Sequence, residues 1–472
     1  MADVVIVGGG VVGLGTAILL AQDGHQVNVL ERDPAPPPEG VDQAWGSWER
    51  RGVNQFRLPH SFLGRYRALI DRELPQVAKA VEAAGGLRFN PLLEIPEGLR
   101  GPQRPEDHDV EILTARRPVM EMAVASVAEG TPGLTVRRGV TVEGLVVGQT
   151  VRDGTPHVAG VRTEAGEEVH ADLVVDMAGR RSALPRWLHD AHLPPLHEEV
   201  EDSGFVYYGR HYRSSDGTLP FAFGPPLQSL GTISSLTLAA DNGTWSAVIT
   251  ASAKDKDLYG LRDVDRFEKM FRSLPTVAHW IDGEPLEDRV VTISKIEDRF
   301  RSLRSTNGEP IVTGLVAAGD AWSCSNPSFG RGASIGMLNG VVLRDSLREF
   351  PDQPYHFVEH FHFTTAEVVE PWFMWTRSQD RHRLAEIDSL IAGRPYDPHD
   401  ERWELEQALS ASLLQDPDLL RIFLRANFVL DPLDEALATP DVTARVVSLG
   451  GGWRDIPVPA PPRGELVAIA ND

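Results

Sequence analysis

One cysteine, Cys324, is all the thiol in this 472-residue chain. An internal disulfide framework is excluded, and a reducing compartment fits, by default the cytoplasm. Lysine is scarce, five residues beside forty-one arginines, a bias of GC-rich coding that fits specialised metabolism. Positive charge is in deficit: 46 basic against 68 acidic residues give a formal charge of −22. That balance argues against nucleic acid or an anionic membrane surface as a partner. A long unbroken apolar run is missing too. Val4 to Gln22 carries no charge, but Asp3 precedes it where a leader peptide has a basic residue, and Gly8, Gly9, Gly10, Gly13 and Gly15 interrupt it. No stable membrane insertion is expected from it. No internal repeat is visible. The remaining composition, 42% hydrophobic and 24% charged, is that of a globular protein long enough for two or three structural regions.

The glycines of the first stretch have a better explanation. Asp3 to Val7 is a β-branched run suited to a buried parallel strand. Gly8, Gly10 and Gly13 then spell G-x-G-x-x-G, and Thr16 to Gln22 reads as a helix ended by Gly24. The first glycine permits a tight turn, the second lets backbone approach a pyrophosphate, and the third allows close helix–strand packing. The helix would aim free N–H groups and its positive end at that pyrophosphate. "QVNVLE" reads as the next strand, closed by Glu31 with Arg32 beside it. An acid there suits ribose hydroxyls and repels a 2′-phosphate, so a dinucleotide other than NADP is expected at this site.

A second glycine-rich stretch, "GDAWSCSNPSFGRGASIG" (319–336), follows the apolar strand "PIVTGLVAA". A strand ending at Gly319-Asp320, a loop with Pro327, Gly330 and Gly332, and a helix opening near Ala333 make a second anion-receptive site. One ligand could thus be held from two sides, a grip that FAD, with two phosphates and a large ring, needs more than NAD does. The chain after Glu31 also departs from a plain dehydrogenase pattern. It enters "DPAPPPEG" and then a basic, aromatic excursion to His60, longer than a connection requires. Arg51, Gln55, Arg57 and His60 are candidates to line a cofactor.

These stretches, with "RRPVMEMAV" at 116–124, resemble the FAD-dependent monooxygenase superfamily of aromatic hydroxylases, epoxidases and halogenases. The resemblance places Arg117 beside the flavin, Asp320 on a ribityl hydroxyl, and Gly319, Pro327, Gly330 and Gly332 around the pyrophosphate and pyrimidine edge. Gly179, Arg181 and Ser182 match the family's middle motif, but Ala178 stands where the hydroxylases have Asp. That departure puts direct NAD(P)H use in question, so the electron source is NAD(P)H or a partner flavin reductase. The implied chemistry runs through a flavin hydroperoxide to an electron-rich carbon of a small organic substrate, with O2 as co-substrate. No side chain is singled out as catalyst, and no metal is expected. A flavin dehydrogenase or reductase acting on a carbon–carbon bond is the alternative. A halogenase weighs less because "WGSWERR" lacks the W-x-W-x-I-P pattern, and a flavin-holding scaffold without turnover weighs least.

The rest of the chain supplies the other regions. Between 200 and 293, "GFVYYGRHYR", "TISSLTLAA", "TWSAVITASA" and "RVVTISKI" alternate like strands of an antiparallel sheet with one covered face, and "DVDRFEKMFRSL" is an amphipathic helix on it. From Pro351 the text is helical and closes on "GGGWRDIPVPAPPRGE", an expected extended tail. The expected fold is therefore α/β: a Rossmann-like FAD-binding domain (1–195 and 290–350), an antiparallel substrate-binding sheet (196–289) and a helical C-terminal region (351–472).

Three competing motifs are weaker. Ser334 sits in G-x-S-x-G, but inside a helix after a long loop and not on a strand-to-helix elbow. "HFVEH" (356–360) matches H-x-x-E-H without an evident further zinc ligand. Cys324 has nothing nearby in sequence to lower its pKa. Trp372, Phe373 and Trp375 suit an ordinary core better than the roof of a pocket.

Overall fold

A computed structural model describes residues 1–472. Five strands, β1 (Asp3–Val7), β2 (Gln26–Glu31), β3 (Leu134–Arg138), β4 (Leu173–Asp176) and β5 (Leu315–Ala317), form one parallel sheet in the order β5-β4-β1-β2-β3. The Val-rich centre of β1 is buried on both faces, as a strand flanked by two parallel neighbours requires. Helices α1 (Val11–Gln22), α2 (Arg117–Glu129) and α3 (Gly332–Glu349) belong to this unit. α1 begins at Val11, earlier than its sequence indicates, and the glycines inside it are packing residues. A Cβ on Gly15 would stand 3.1 Å from Met337 Sδ, and one on Gly340 would stand 2.3 Å from Thr16 Oγ1. Small residues let α1 and α3 lie against each other, so their N-termini open side by side at the C-terminal edge of the sheet.

The second sheet is antiparallel. Strands 227–230, 233–239, 244–252 and 205–213 follow in that order, with Glu284–Pro285 and Val291–Ile293 along the 205–213 edge. Val206, Tyr208 and Tyr212 face one side and pack with Phe267 and Phe271 of the amphipathic helix Val264–Arg272. Contrary to expectation the other face is covered as well. Phe205, Tyr207 and Val248 meet Leu58 and Ile296, and Ile387 of helix α4 (Glu370–Ile391) closes over them. That double cover explains why the whole of Thr244–Ser252 is buried.

The carboxy-terminal region is helical, with Pro354–Thr364, a π-helical turn at Thr365–Val369, α4, and shorter helices from Glu401 onward. The tail departs from its expected extended form at its end, where Arg463–Asn471 is a helix. Leu466 and Ala470, one turn apart, bury their side chains beside the antiparallel sheet, and that apolar pair is what the proline-rich lead-in concealed. No helix is long and apolar enough to cross a membrane.

Candidate functional site

The first glycine turn is shaped by contacts that exclude side chains. Gly8 has φ +113°, and a Cβ there would meet the Met177 carbonyl oxygen at 2.3 Å; on Gly13 it would meet the Gly8 carbonyl oxygen at 2.3 Å. Gly10 differs. No atom lies within 4 Å of its Cβ position, and as N-cap of α1 it offers no side-chain cap and no acid in the first turn. Open space in front of uncapped N–H groups is an anion cradle.

Glu31 lies at the end of β2 and is 4% exposed. Its Oε2 accepts from the Gly9 amide at 2.7 Å and from Arg50 Nη2 at 2.9 Å, and its Oε1 accepts from the Asp33 amide at 2.8 Å. Arg50 is the residue that sequence reasoning passed over. Its Nε donates to Asp33 at 2.9 Å, its Nη1 to Glu121 at 2.9 Å and its Nη2 also to the Gly9 carbonyl at 3.2 Å. The neighbouring Arg51 is exposed, and nothing in the string of letters separates the two. Arg32, which follows Glu31 directly, is exposed with its guanidinium against Gly52. Arg57 stacks over Trp45 at 4.6 Å and donates to the Trp48 carbonyl at 3.0 Å, so it binds the excursion together; Gln55 is half-buried.

Arg117 opens α2. Its Nε donates to Glu121 Oε1 at 2.8 Å, and its Nη1 stands 2.6 Å from His60 Nε2. Glu121 thus bridges Arg117 and Arg50, the residue that holds the first glycine turn. Asp320 is half-buried and its carboxylate accepts no hydrogen bond from the protein. Burial raises its pKa, and the nearby Arg117 and Arg180 oppose that rise.

Around Asp320 the loop is again stripped of side chains. Gly319, Gly330 and Gly179 have φ of +56°, +66° and +78°, and no atom stands within 4 Å of a Cβ on Gly179 or Gly332. Pro327 begins a short turn ahead of Gly330, and α3 starts at Gly332 with neither a side-chain cap nor an acid in its first turn. Gly319 packs on Val12 of α1, 3.5 Å from a Cβ position. The two glycine stretches, Gly179, Arg117 and Asp320 therefore meet at one edge of the parallel sheet. Two uncapped helix N-termini, an unpartnered carboxylate and a side-chain-free path between them fit FAD.

The antiparallel sheet reaches this place through Tyr207. Its hydroxyl donates to Asn326 Oδ1 at 2.6 Å and pairs with Ser328 Oγ at 2.5 Å. Asn326 also donates through Nδ2 to Asp380 Oδ1 at 2.9 Å and through its amide to Asp298 Oδ1 at 2.8 Å. Helix α4 further holds Arg331, whose Nη1 donates to Thr376 and Gln379. Neither Asn326 nor Asp380 carried a sequence signal, because they meet only when α4 folds back over the loop.

The competing motifs find other surroundings. Ser334 is fully buried inside α3. His360 is bonded to Ser346 Oγ at 3.0 Å, and no cluster of three or more His, Cys, Asp or Glu side chains is arranged to hold a metal ion. Burial pushes the Cys324 thiol well above its ordinary pKa. Ser182 and the Ala178 amide bond to Asp176 within their own turn, and Arg181 is exposed. Trp372 and Phe373 are core residues, whereas Trp375 stacks on Arg331 at 3.8 Å.

Comparison with known proteins agrees with this geometry. The FAD dependent oxidoreductase family matches residues 3–101. Protein Rv3254 of Mycobacterium tuberculosis is 27% identical over 364 residues, covering 73% of this chain and 72% of that protein. Squalene epoxidase 4 of Arabidopsis thaliana is 24% identical over 363 residues, which cover 74% of this chain and 63% of the relative. In fold, the chain superposes on Klebsiella pneumoniae HpxO complexed with FAD with a TM-score of 0.60 at 15% identity, over 92% of this chain and 100% of the other. Residues 3–101 thus resemble the FAD dependent oxidoreductases in sequence, and the chain as a whole shares its fold with the FAD-bound HpxO.

Proposed function

We propose that the protein is a monooxygenase that hydroxylates or epoxidises a small, largely apolar organic molecule. The observation that carries this reading is where the antiparallel sheet puts its second face. Phe205, Tyr207 and Val248 are closed over by Leu58, Ile296 and Ile387, but Leu236, Val291 and Ile293 at the margin of that face stay only partly buried, and Tyr207 ties the face to the loop that leads to Gly332. An apolar wall against the cofactor loop orients a greasy substrate and excludes water from the reacting centre. The Arabidopsis relative, an epoxidase named for an apolar alkene, supports the same direction.

In this reading Gly8, Gly10 and Gly13 with the N-terminus of α1 receive the pyrophosphate, and Glu31 receives ribose hydroxyls through the lone pairs its protein partners leave free. Gly179, Arg117, Gly319, Asp320, Pro327, Gly330 and Gly332 hold the ribityl and ring end. Bound FAD supplies two-electron chemistry with oxygen, and the chain's own residues bind, orient and shield.

Turnover tests it. Loaded protein is expected to consume O2 in step with substrate oxidation, with NAD(P)H or a flavin reductase as reductant. Substrate oxidation that proceeds equally well without oxygen would establish the dehydrogenase instead. Bleaching of the flavin by NAD(P)H alone would show direct reduction; persistence of colour would assign the reductase route that Ala178 favours.

A further inference from the structure

His60 is bonded in a way that fixes its chemistry. Its Nε2 lies 2.6 Å from Arg117 Nη1. A guanidinium has only donors and stays protonated in proteins, so Nε2 must be the acceptor. The proton of the neutral ring is then on Nδ1. A second proton on Nε2 would set two N–H groups against each other. Arg117 is not free to turn away, because Glu121 Oε1 takes its Nε at 2.8 Å and Arg50 in turn fixes Glu121. The His60 backbone is pinned as well. Ser61–Phe62, which follows it directly, pairs antiparallel with Ile112–Thr114.

The other nitrogen has no partner. Nδ1 makes no hydrogen bond to protein and is not sealed from solvent, in a half-buried residue. Its surroundings are those of the cofactor cradle: Ser61 Oγ lies 3.9 Å from a Cβ position on Gly330, and the open carboxylate of Asp320 shares the neighbourhood of Arg117. A neutral donor in such a place matches an uncharged acceptor, and a flavin ring carries carbonyl oxygens and ring nitrogens of that kind.

We infer that His60 is a permanently neutral hydrogen-bond donor to the bound flavin, its Nδ1–H tautomer dictated by Arg117. Burial first, and the Arg117 charge second, also hold its pKa well below the ordinary histidine value. The charged groups around it are Arg117 and Arg117's partner Glu121, with Asp320 also within the field of Arg117. The role rests on FAD binding alone and stands whether the enzyme inserts oxygen or removes hydride.

Two measurements test it. The apoprotein of H60L is expected to bind FAD about tenfold more weakly, the worth of one good hydrogen bond, with displaced visible maxima, while H60Q, which keeps an N–H donor, recovers most of both. Wild-type affinity and spectrum in H60L, or a change confined to substrate KM, would overturn the assignment. Independently of any variant, 15N shifts of His60 in the holoprotein should report protonated Nδ1 and bare Nε2 unchanged from pH 5 to 8. Titration of the ring in that range would defeat the inference even if H60L failed to fold. R117M removes the smaller of the two causes, so the ring should titrate at a higher pH than in wild type yet still below the ordinary ~6.5, read from the same 15N shifts.

Discussion

Arg50 and Glu31 grip the same glycine from opposite sides: Arg50 Nη2 donates to the Gly9 carbonyl at 3.2 Å, Glu31 Oε2 accepts the Gly9 amide at 2.7 Å, and the two side chains are 2.9 Å apart. The turn is therefore preset before any phosphate arrives. Arg50 also neutralises Asp33 and Glu121, so its removal leaves three buried carboxylates facing one another. R50M should lower unfolding stability by about 3 kcal/mol or more, read from urea midpoints of the apoprotein. R50K keeps the charge but cannot present a planar fork, and should fall between the two. An R50M midpoint equal to wild type would show that the network contributes nothing.

Gly8 and Gly10 separate folding from binding. Gly8 needs its left-handed φ and has no room for a Cβ, so G8A should cost about 3 kcal/mol of stability. Gly10 has φ −79°, ψ 175° and open space, so G10A should fold as wild type. Its methyl would occupy the room in front of α1, and FAD affinity should fall by about tenfold, ~1.4 kcal/mol. Fluorescence titration of apoprotein with FAD, beside a thermal melt, distinguishes the two variants. Tight FAD binding by G10A would remove the α1 cradle from the site.

Asp320 should matter to the cofactor and not to the fold. Its carboxylate has no protein partner, and burial raises its pKa, so the folded protein gains nothing from its charge. D320A is expected to melt no lower than wild type and to purify flavin-poor. Full flavin retention by D320A would take this residue out of the site.

How far the sequence could be read follows from range. Gly8, Gly10 and Gly13 were legible because a strand, a turn and a helix only a few residues apart need them at fixed spacing. The 319–336 stretch was legible for the same reason. Arg50 was not, since its partners Glu31, Asp33 and Glu121 are brought to it by folding. The covered second face of the antiparallel sheet was hidden likewise. Alternation shows that a strand has two faces, but Ile387 arrives from a helix some 135 residues beyond the last residue of the strand pair it covers.

Asp298 and Asp380 share Asn326 beneath the cofactor loop, and their burial makes a pH prediction with a definite sign. Burial is the chief cause of both shifts. It pushes Asp298 up to about 6, with Glu201 adding and the Asn326 amide, Arg377 and Arg381 opposing, and it raises Asp380 well above its usual value, with Asp298 adding. A folded-state pKa above the unfolded one means that the native protein binds more protons between the two, so stability falls as pH rises through that window. For Asp298 the window runs from about 4 to 6, and the accumulated cost at pH 7.5 is about 3 kcal/mol, against about 1 kcal/mol at pH 4.5. D298N keeps an oxygen for the Asn326 amide and removes the charge. It should be more stable than wild type at pH 7.5 by up to that amount, with the difference narrowing steadily toward pH 4.5 in urea titrations. Two curves running parallel across the range would mean that Asp298 is solvated in the folded protein, and the buried network under the loop would have to be redrawn.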